Sequence, residues 1–387
     1  MASEKPRDGI HAMVPREKMT EGARKLRDAY AITPGAPLYR REFGYYCLDA
    51  WKEQGFTADR SEFAKLFQYD PPGAHGLGGL GWCEAAFVPE WEEKVIEDRG
   101  DYELVQDVAG RHVLCFKGRR SGFMPEYVDH PVKDRATWER DVRPRLDPAS
   151  PARWAGLDER MRHAREAAGK GLILSQGLIG GYMYLRSLIG PEKLFYAFYD
   201  MPDVIHDCMK AWFTLADAVI ARHQQHVTLD EIFFAEDICY NHGPLISPDM
   251  MREFILPCYE QVIANLRSRQ IDKGRKLFIQ IDTDGFCLPV IPIYRSIGMN
   301  VMSPFEVASG CDVVKVAREY PDLVITGGID KRVLAKGKAD IDRMLEYILP
   351  AMRARGGYVP TCDHGVPAEV SLENYLYYRK RAVELGG

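Results

Sequence analysis

The sequence predicts an α/β fold, specifically a (βα)8 TIM barrel with an N-terminal cap region. Its carboxy-terminal half contains six short apolar runs, each ending in Gly or polar residues and each followed by a stretch with helical periodicity. Strands that alternate with helices in this way run parallel in one sheet. The length of 387 residues suits one large barrel with insertions.

The six apolar runs are, in chain order, GLILSQG, EIFFAED, KLFIQIDTDG, MNVMSPFE, LVITGGID and GYVPTCDHG. Two of the helical stretches have clear start signals. Ser247 and Pro248 provide an N-cap and a first-turn proline for MMREFILPCYEQVIANLRSR, and Ser371 provides an N-cap for LENYLYYRKRAVEL. These signals support the alternation of strands and helices.

The first 150 residues are richer in Trp, Tyr, Phe, Pro and Gly. We expect an N-terminal extension over residues 1–29 and a single barrel over 30–387, with residues of about 70–135 forming a cap over the barrel mouth. The first barrel strand is expected in PLYRREFGYY, and a hairpin in YELVQDVAGRHVLCFKG. The stretch PPGAHGLGGLGW is expected to be a mobile lid loop, because it lacks the preceding strand and Lys-Ser/Thr ending of a phosphate-binding loop.

Composition narrows the class of function. Apolar residues make up 46% and charged residues 28% of the sequence, which is typical of a folded globular protein. A net charge of -5 and the lack of a long Lys/Arg block argue against nucleic-acid binding. MASEKPRDGIHAMVPREKM lacks the apolar segment of a secretory signal, and no run of about 18 apolar residues predicts a membrane helix. Because the nine cysteines form no close pairs, we expect reduced thiols and a cytoplasmic protein that acts on small molecules.

Polar residues occur where the predicted strands end. Alternate side chains of a strand face the same way, so Gln280, Asp282 and Asp284 are expected to point into the barrel. Because the carboxyl ends of parallel strands meet at one face, the acids, thiol and imidazole at these ends are expected to form a metal centre there. The polar residues at predicted strand ends are Gln176, Glu236, Asp237, Asp282, Asp284, Glu306, Asp330, Cys362, Asp363 and His364.

Structural roles are open for the same residues. The carboxylates of Asp282 and Asp284 equally fit a helix N-cap or a partner for an arginine. The Glu-Asp pair at 236–237 equally fits an anchor for Arg252 or Arg267. Three further residues have their own alternatives: a small buried side chain for Cys362, a structural imidazole for His364 and simple exposure for His75.

Four segments resemble the uroporphyrinogen decarboxylase superfamily. They are GLIGGYMYLRSLIGPEKLFYAFYDMPDVI, EDICYNHGPLISPDMMREFILPCY, TGGIDKRVLAKG and GGYVPTCDHGVPAEVSLENYLYYR, and the resemblance extends from about Pro37 onward. It implies a (βα)8 barrel and either tetrapyrrole decarboxylation or cobalamin-dependent methyl transfer. The Gln-Ala-Gly-Arg motif with which the decarboxylase binds its substrate's carboxylates is absent, since RREFGYYCLDAW stands near its place. The methyltransferase branch is therefore favoured.

The methyltransferase branch implies a zinc site formed by a His-x-Cys motif and a Cys in the last barrel segment. In this sequence Asp282 stands at the His position, Asp284 at the first Cys position and Cys362 at the final one. Glu236 is the expected fourth ligand. Two carboxylates in place of an imidazole and a thiolate leave a more electrophilic ion, which suits polarisation of the leaving oxygen of a methyl ether.

The resemblance thus implies a zinc-dependent methyltransferase that moves a methyl group between a small donor, such as a methoxy compound that undergoes O-demethylation, and a corrinoid. Catalytic roles are expected for His364, Glu306 and Tyr240. Contacts with the cofactor are expected for Tyr45, Tyr46, Tyr182 and His75. Because no corrinoid-binding Asp-x-His-x-x-Gly motif occurs, cobalamin is expected free or on a partner corrinoid protein. Nucleic-acid and membrane partners are not expected, and a homodimer is a possible assembly.

Two other classes of function stay open. A metal-dependent decarboxylase or lyase on the same barrel would use the acids on a carboxylate substrate without cobalamin. A non-catalytic corrinoid or tetrapyrrole binder would bind its ligand without turnover. Methyl-transfer assays distinguish these two functions from that of a methyltransferase.

Overall fold

A computed structural model describes residues 11–118 and 125–387. Its centre is a curled parallel sheet of seven strands whose spatial order follows the chain, and the fold is TIM-barrel-like. The strands of this sheet are β1 (Ala74–Gly76), β6 (Ile173–Ile179), β7 (Glu231–Ala235), β10 (Phe278–Asp282), β11 (Val301–Ser303), β12 (Val324–Thr326) and β13 (Tyr358–Val359). An antiparallel sheet contains β2 (Lys94–Arg99), β3 (Tyr102–Gln106), β4 (His112–Phe116) and β5 (Glu126–Asp129). A small hairpin pairs β8 (Cys239–Tyr240) with β9 (Gly243–Pro244).

Helices lie between most of the parallel strands and pack on the outside of the sheet. Before the third strand of the sheet they are Glu21–Tyr30, Leu48–Glu53, Phe63–Leu66, Arg135–Thr137, Leu157–Gly169, Gly181–Ile189, Pro191–Asp200 and Pro202–Gln224. After it they are Pro248–Met250, Leu256–Arg269, Ile291–Ser296, Val313–Glu319, Lys331–Leu334, Lys338–Arg355 and Leu372–Gly386. Both predicted N-caps are confirmed: Ser247 Oγ accepts from the Met250 N–H at 3.1 Å, and Ser371 Oγ accepts from the Asn374 N–H at 3.2 Å.

The strands have two faces with different surroundings, because successive side chains alternate. One row, with Phe234, Ile279 and Ile281, is completely buried against the helices and forms the main core. The other row faces the barrel interior. At its lower end, helix Glu21–Tyr30, from the segment predicted as an extension, packs Tyr30 against Phe278 and closes the barrel. The open mouth therefore lies at the carboxyl ends of the strands.

Most of the predicted elements are confirmed. All six apolar runs contain strands, and the predicted hairpin forms β3 and β4. The first strand was predicted wrongly: PLYRREFGYY contributes only a single bridge from Tyr45 to Val366, whereas β1 lies inside the glycine-rich stretch predicted as a loop. This strand is only three residues long and is held by backbone pairing with β6. It has no apolar pattern of its own, so the sequence does not indicate a strand there. The eighth strand and the cap stay predictions.

Across residues 11–118 and 125–387, every helix is too short or too polar to cross a lipid bilayer.

Candidate active site

Asp282 is the last residue of β10, and Asp284 lies two residues beyond the end of that strand. Strand pairing sets Asp282 level with Ala235 of β7 and Ser303 of β11. The Ser303 hydroxyl donates a hydrogen bond to the Asp282 carboxylate. Burial raises the pKa of Asp282 to about 6, and this hydrogen bond opposes the rise. Asp282 is thus held in the upper barrel, just below the mouth.

Asp284 forms the centre of the mouth together with His364. Its Oδ2 lies 3.4 Å from His364 Nε2, and 36% of the Asp284 side chain is exposed. Burial, followed by the charges of Asp237 and Glu306, raises the pKa of Asp284 to about 8. Burial and the Lys331 charge lower the pKa of His364. Both shifts favour a neutral pair at neutral pH, with a protonated carboxyl beside a neutral imidazole.

Aromatic rings hold the His364 imidazole in place. It stacks on Tyr46, with ring centroids 5.6 Å apart and planes 25° apart, and it lies 5.3 Å from the ring of Phe43. Because Tyr46 and Phe43 are 58% and 39% exposed, the pair sits at an open rim rather than in a sealed core. A small molecule can therefore reach the Asp284 carboxyl from solvent.

Lys331 is the main cation of this mouth and was not predicted. Its ammonium group lies 2.9 Å from Glu306 Oε1 and 3.9 Å from Asp363 Oδ1. Glu306 also accepts from the Gly285 N–H at 3.0 Å, so the lysine indirectly fixes the loop that carries Asp284. Its place at the mouth could have been predicted, since Lys331 directly follows the polar end of the predicted strand LVITGGID.

Asp237 also lies at the mouth, paired with Arg186. The two groups are 2.6 Å apart, and Arg186 comes from helix Gly181–Ile189. Neither arginine proposed as an anchor for the 236–237 pair is this partner, and Arg252 pairs with Asp249 instead. Asp237 has a φ of 45°, in the left-handed region, so the backbone turns sharply as it leaves β7.

Arg41 adds a positive charge inside the barrel. It acts electrostatically on Glu231 and Asp282, which both face the interior, and its Nε has no hydrogen-bond partner among the residues that the structure describes. Glu231 is already bonded by the Tyr30 hydroxyl at 2.7 Å. Because a buried donor without an acceptor is costly, Arg41 is suited to bind an anionic group of a ligand. No periodic pattern of apolar residues marks Arg41 as a site residue.

Two of the four predicted zinc ligands face the wrong way. Asp282 pairs with Ala235 of β7, so the next side chain, that of Glu236, points the opposite way, toward the helices. There its carboxylate accepts hydrogen bonds from the Tyr182 N–H at 2.8 Å and from the Tyr259 hydroxyl. Burial raises its pKa to about 7. Cys362 is also completely buried, and its N–H donates to Glu42 at 2.7 Å.

The Cys362 thiol lies among buried groups and not in the mouth. It belongs to the main core with Tyr358, whereas Val359 of the same segment packs in the barrel interior. Within residues 11–118 and 125–387, no three or more His, Cys, Asp and Glu side chains are grouped so that they can hold a metal ion. The residues present therefore do not fit the four-ligand zinc site that the sequence predicted.

The predicted cofactor contacts divide into two groups. Tyr46 and the predicted catalytic residue Tyr240, which is 46% exposed, lie at the rim, and the Tyr240 carbonyl accepts from the Phe286 N–H at 2.8 Å. The others do not reach the mouth. Tyr45 packs its ring against Trp51 in an aromatic cluster, Tyr182 is completely buried, and His75 lies on β1 near His163 of an outer helix.

Glu236→Ala is expected to lower the free energy of unfolding by about 3 kcal/mol, because a buried hydroxyl and a buried N–H lose their acceptor. Chemical denaturation measures this loss. Zinc content, measured by elemental analysis, is expected to equal that of the parent protein. Glu159→Ala is the control, since that side chain is 71% exposed and is expected to change stability by less than about 0.5 kcal/mol. Loss of bound metal at unchanged stability contradicts the helix-facing role.

The fold and the site define a TIM-barrel-like α/β protein with an acid–base centre at the carboxyl ends of its strands. Residues 123–384 match the model of the family described as Uroporphyrinogen decarboxylase (URO-D). The chain belongs to this family, which confirms the resemblance found in the sequence.

Among the similar solved structures, one supports the fold. A methyltransferase from Methanosarcina mazei is 13% identical, with a TM-score of 0.55 over 94% of this chain and 98% of its own. A candidate vitamin-B12 independent methionine synthase from Listeria monocytogenes is 13% identical, with a TM-score of 0.39 over 91% of this chain and 99% of its own. No curated protein matches the sequence.

Proposed function

We propose that this protein is a methyltransferase that removes the methyl group from the oxygen of a small methoxy compound and passes it to a corrinoid. The observation that carries the proposal is the position of the Asp284 carboxyl, 3.4 Å from His364 at an open mouth, where burial and neighbouring acids raise its pKa to about 8. A protonated acid at the site of bond cleavage is what a poor oxygen leaving group needs.

The reaction uses the acid in one step. The bond between the methyl carbon and the ether oxygen breaks, the methyl group goes to the nucleophile of the acceptor, and the electron pair stays on oxygen. Asp284 donates its proton to that oxygen, so the product leaves as a neutral hydroxyl compound. His364, 3.4 Å away, then supports the newly formed carboxylate and relays a proton back from solvent.

The rim fits a large planar acceptor better than the barrel interior does. Three aromatic side chains with large exposed fractions lie at the mouth: Phe43, Tyr46 and Tyr240, which are 39%, 58% and 46% exposed. A corrinoid held there would supply the nucleophile that takes the methyl group. The predicted zinc ion has no part in this proposal, because Glu236 and Cys362 face away from Asp282 and Asp284.

A second function is supported by Arg41. Its guanidinium acts electrostatically on Asp282, and its buried Nε has no hydrogen-bond partner among the described residues, so it suits a substrate carboxylate. Asp284 can then protonate a carbanion. This arrangement favours a decarboxylase or lyase of the same family as the runner-up.

Both functions are tested in one assay. The full chain is incubated with a reduced corrinoid and a panel of methoxy compounds, while the corrinoid spectrum and the demethylated product are followed together. We expect equimolar formation of methylated corrinoid and hydroxyl product. Release of CO2 from a carboxylate substrate, with no need for corrinoid, contradicts methyl transfer and establishes the runner-up.

A further inference from the structure

The glycine-rich stretch of the sequence places a tryptophan in the mouth. Three glycines with positive φ, Gly78, Gly79 and Gly81, shape the turn that leads to Trp82. A Cβ on Gly81 would lie 2.0 Å from the Glu84 carbonyl oxygen, so only glycine allows this turn. The turn thus fixes the position of the Trp82 indole.

The indole lies flat on Phe233. The ring centroids are 5.1 Å apart and the planes differ by only 11°. Phe233 belongs to the inward row of β7, between Glu231 and Ala235, and is paired with Gly177 on β6. One face of Trp82 is therefore covered by the barrel, and its 49% exposed fraction belongs to the rest of the ring.

Open space adjoins this aromatic pair. Gly177 lies beside Phe233 in the barrel wall, and a Cβ built on it would meet no atom of the described part of the chain within 4 Å, its chain neighbours aside. The aromatic pair lies toward the same end of the barrel as the acid–base pair, because Trp82 follows the carboxyl end of β1 and Asp284 follows the carboxyl end of β10.

We propose that Trp82 and Phe233 form an aromatic platform that stacks on a planar ring of the substrate, so that the methyl donor is a methoxyarene. This inference rests on the proposed function and names its substrate class. Offset or parallel stacking on a fixed ring favours flat ligands over puckered ones of the same size. The stack on Phe233 positions the indole before a ligand binds, which lowers the entropy lost on binding.

The ring also suits the chemistry of the mouth. When the methyl group leaves a methoxyarene, the electron pair is delocalised from oxygen into the ring, so a phenoxide is a better leaving group than an alkoxide. A single proton from Asp284 then completes the product as a phenol. Atoms balance, since the methyl carbon goes to the acceptor and the proton to the ring oxygen.

Binding without turnover tests the platform. Equilibrium dialysis with 4-methoxyphenol and its saturated analogue trans-4-methoxycyclohexanol compares two ligands that carry the same substituents. We expect the parent protein to bind the aromatic ligand about tenfold more tightly. Trp82→Ala is expected to lose this preference and Trp82→Phe to keep most of it. Trp154→Phe is the control, because that indole packs against Arg222 on another side of the protein.

The outcomes separate the platform from the proposed function. Equal affinity for both ligands, no binding of either, or tighter aromatic binding by Trp82→Ala overturns the platform. If the protein prefers the aromatic ligand through Trp82 but transfers no methyl group in the corrinoid assay, the result supports the platform and contradicts the proposed function. If methyl transfer occurs but both ligands bind equally well, the result supports the proposed function and contradicts the platform.

Discussion

Asp284→Asn is expected to fold normally and to lose about 10²- to 10⁴-fold in turnover, because the amide cannot give a proton to the leaving oxygen. In the parent protein the carboxyl acts in its protonated form, and its pKa is raised to about 8 by burial and by Asp237. Turnover is therefore expected to fall as the pH rises through about 8. The residual turnover of the variant is expected to lack this limb.

The same substitution has an opposite effect on stability. In the unfolded chain this carboxyl ionises near pH 4, whereas in the folded protein it stays protonated up to about pH 8. The folded state thus binds the extra proton between these values, and the carboxyl costs stability as the pH rises through this window. Asparagine removes that cost. We expect a gain of about 1 kcal/mol above pH 8 and none below pH 4, discounted for the partial exposure of the side chain.

Asp322→Asn provides the matched control. Asp322 precedes β12 at the opposite end of the barrel, is 67% exposed and pairs with Arg295 at 2.8 Å. Its replacement is expected to leave turnover and the pH limb unchanged. If Asp284→Asn retains full turnover with the same alkaline limb, Asp284 is not the acid.

Lys331→Met is expected to have the largest combined effect on stability and turnover. It leaves the completely buried Asp363 and the partly buried Glu306 without their cation, at a cost of about 3 kcal/mol. Burial opposes the charge on Lys331, but its hydrogen bond to Glu306 raises its pKa, so the pair stabilises the fold throughout the neutral range. Denaturation at pH 7 measures the loss.

Turnover of the Lys331→Met variant measures how far Lys331 positions Asp284 through Glu306. Glu306 no longer holds the Gly285 N–H firmly, so Asp284 is displaced, and a loss of about 10- to 100-fold in turnover is expected. Because Lys331 lowers the pKa of Asp284 and of His364, its removal is expected to move the alkaline limb to higher pH. Lys380→Met, at a 70% exposed surface position, is the control. A loss of stability with an unmoved pH limb assigns Lys331 a purely structural role.

Local patterns in the sequence determined the order of the strands and the end of the barrel that carries the chemistry. An apolar run followed by Gly or an acid is a short-range signal, and it located β6, β7 and β10 to β13. It also placed Asp282, Asp284 and His364 at the mouth, because strand alternation and parallel pairing bring the ends of such runs together.

Tertiary structure alone decided which of two adjacent residues faces the mouth. At the end of β7 it is Asp237 and not Glu236, and at the last strand the Cys362 thiol is buried outside the mouth. A shift of one residue reverses every side chain, and the register is set by hydrogen bonds to strands far away in the chain. The partners of these acids could not be predicted either, because they lie far away along the chain. Lys331, Arg186, Arg41 and Trp82 come from separate segments, and only folding brings them to one barrel.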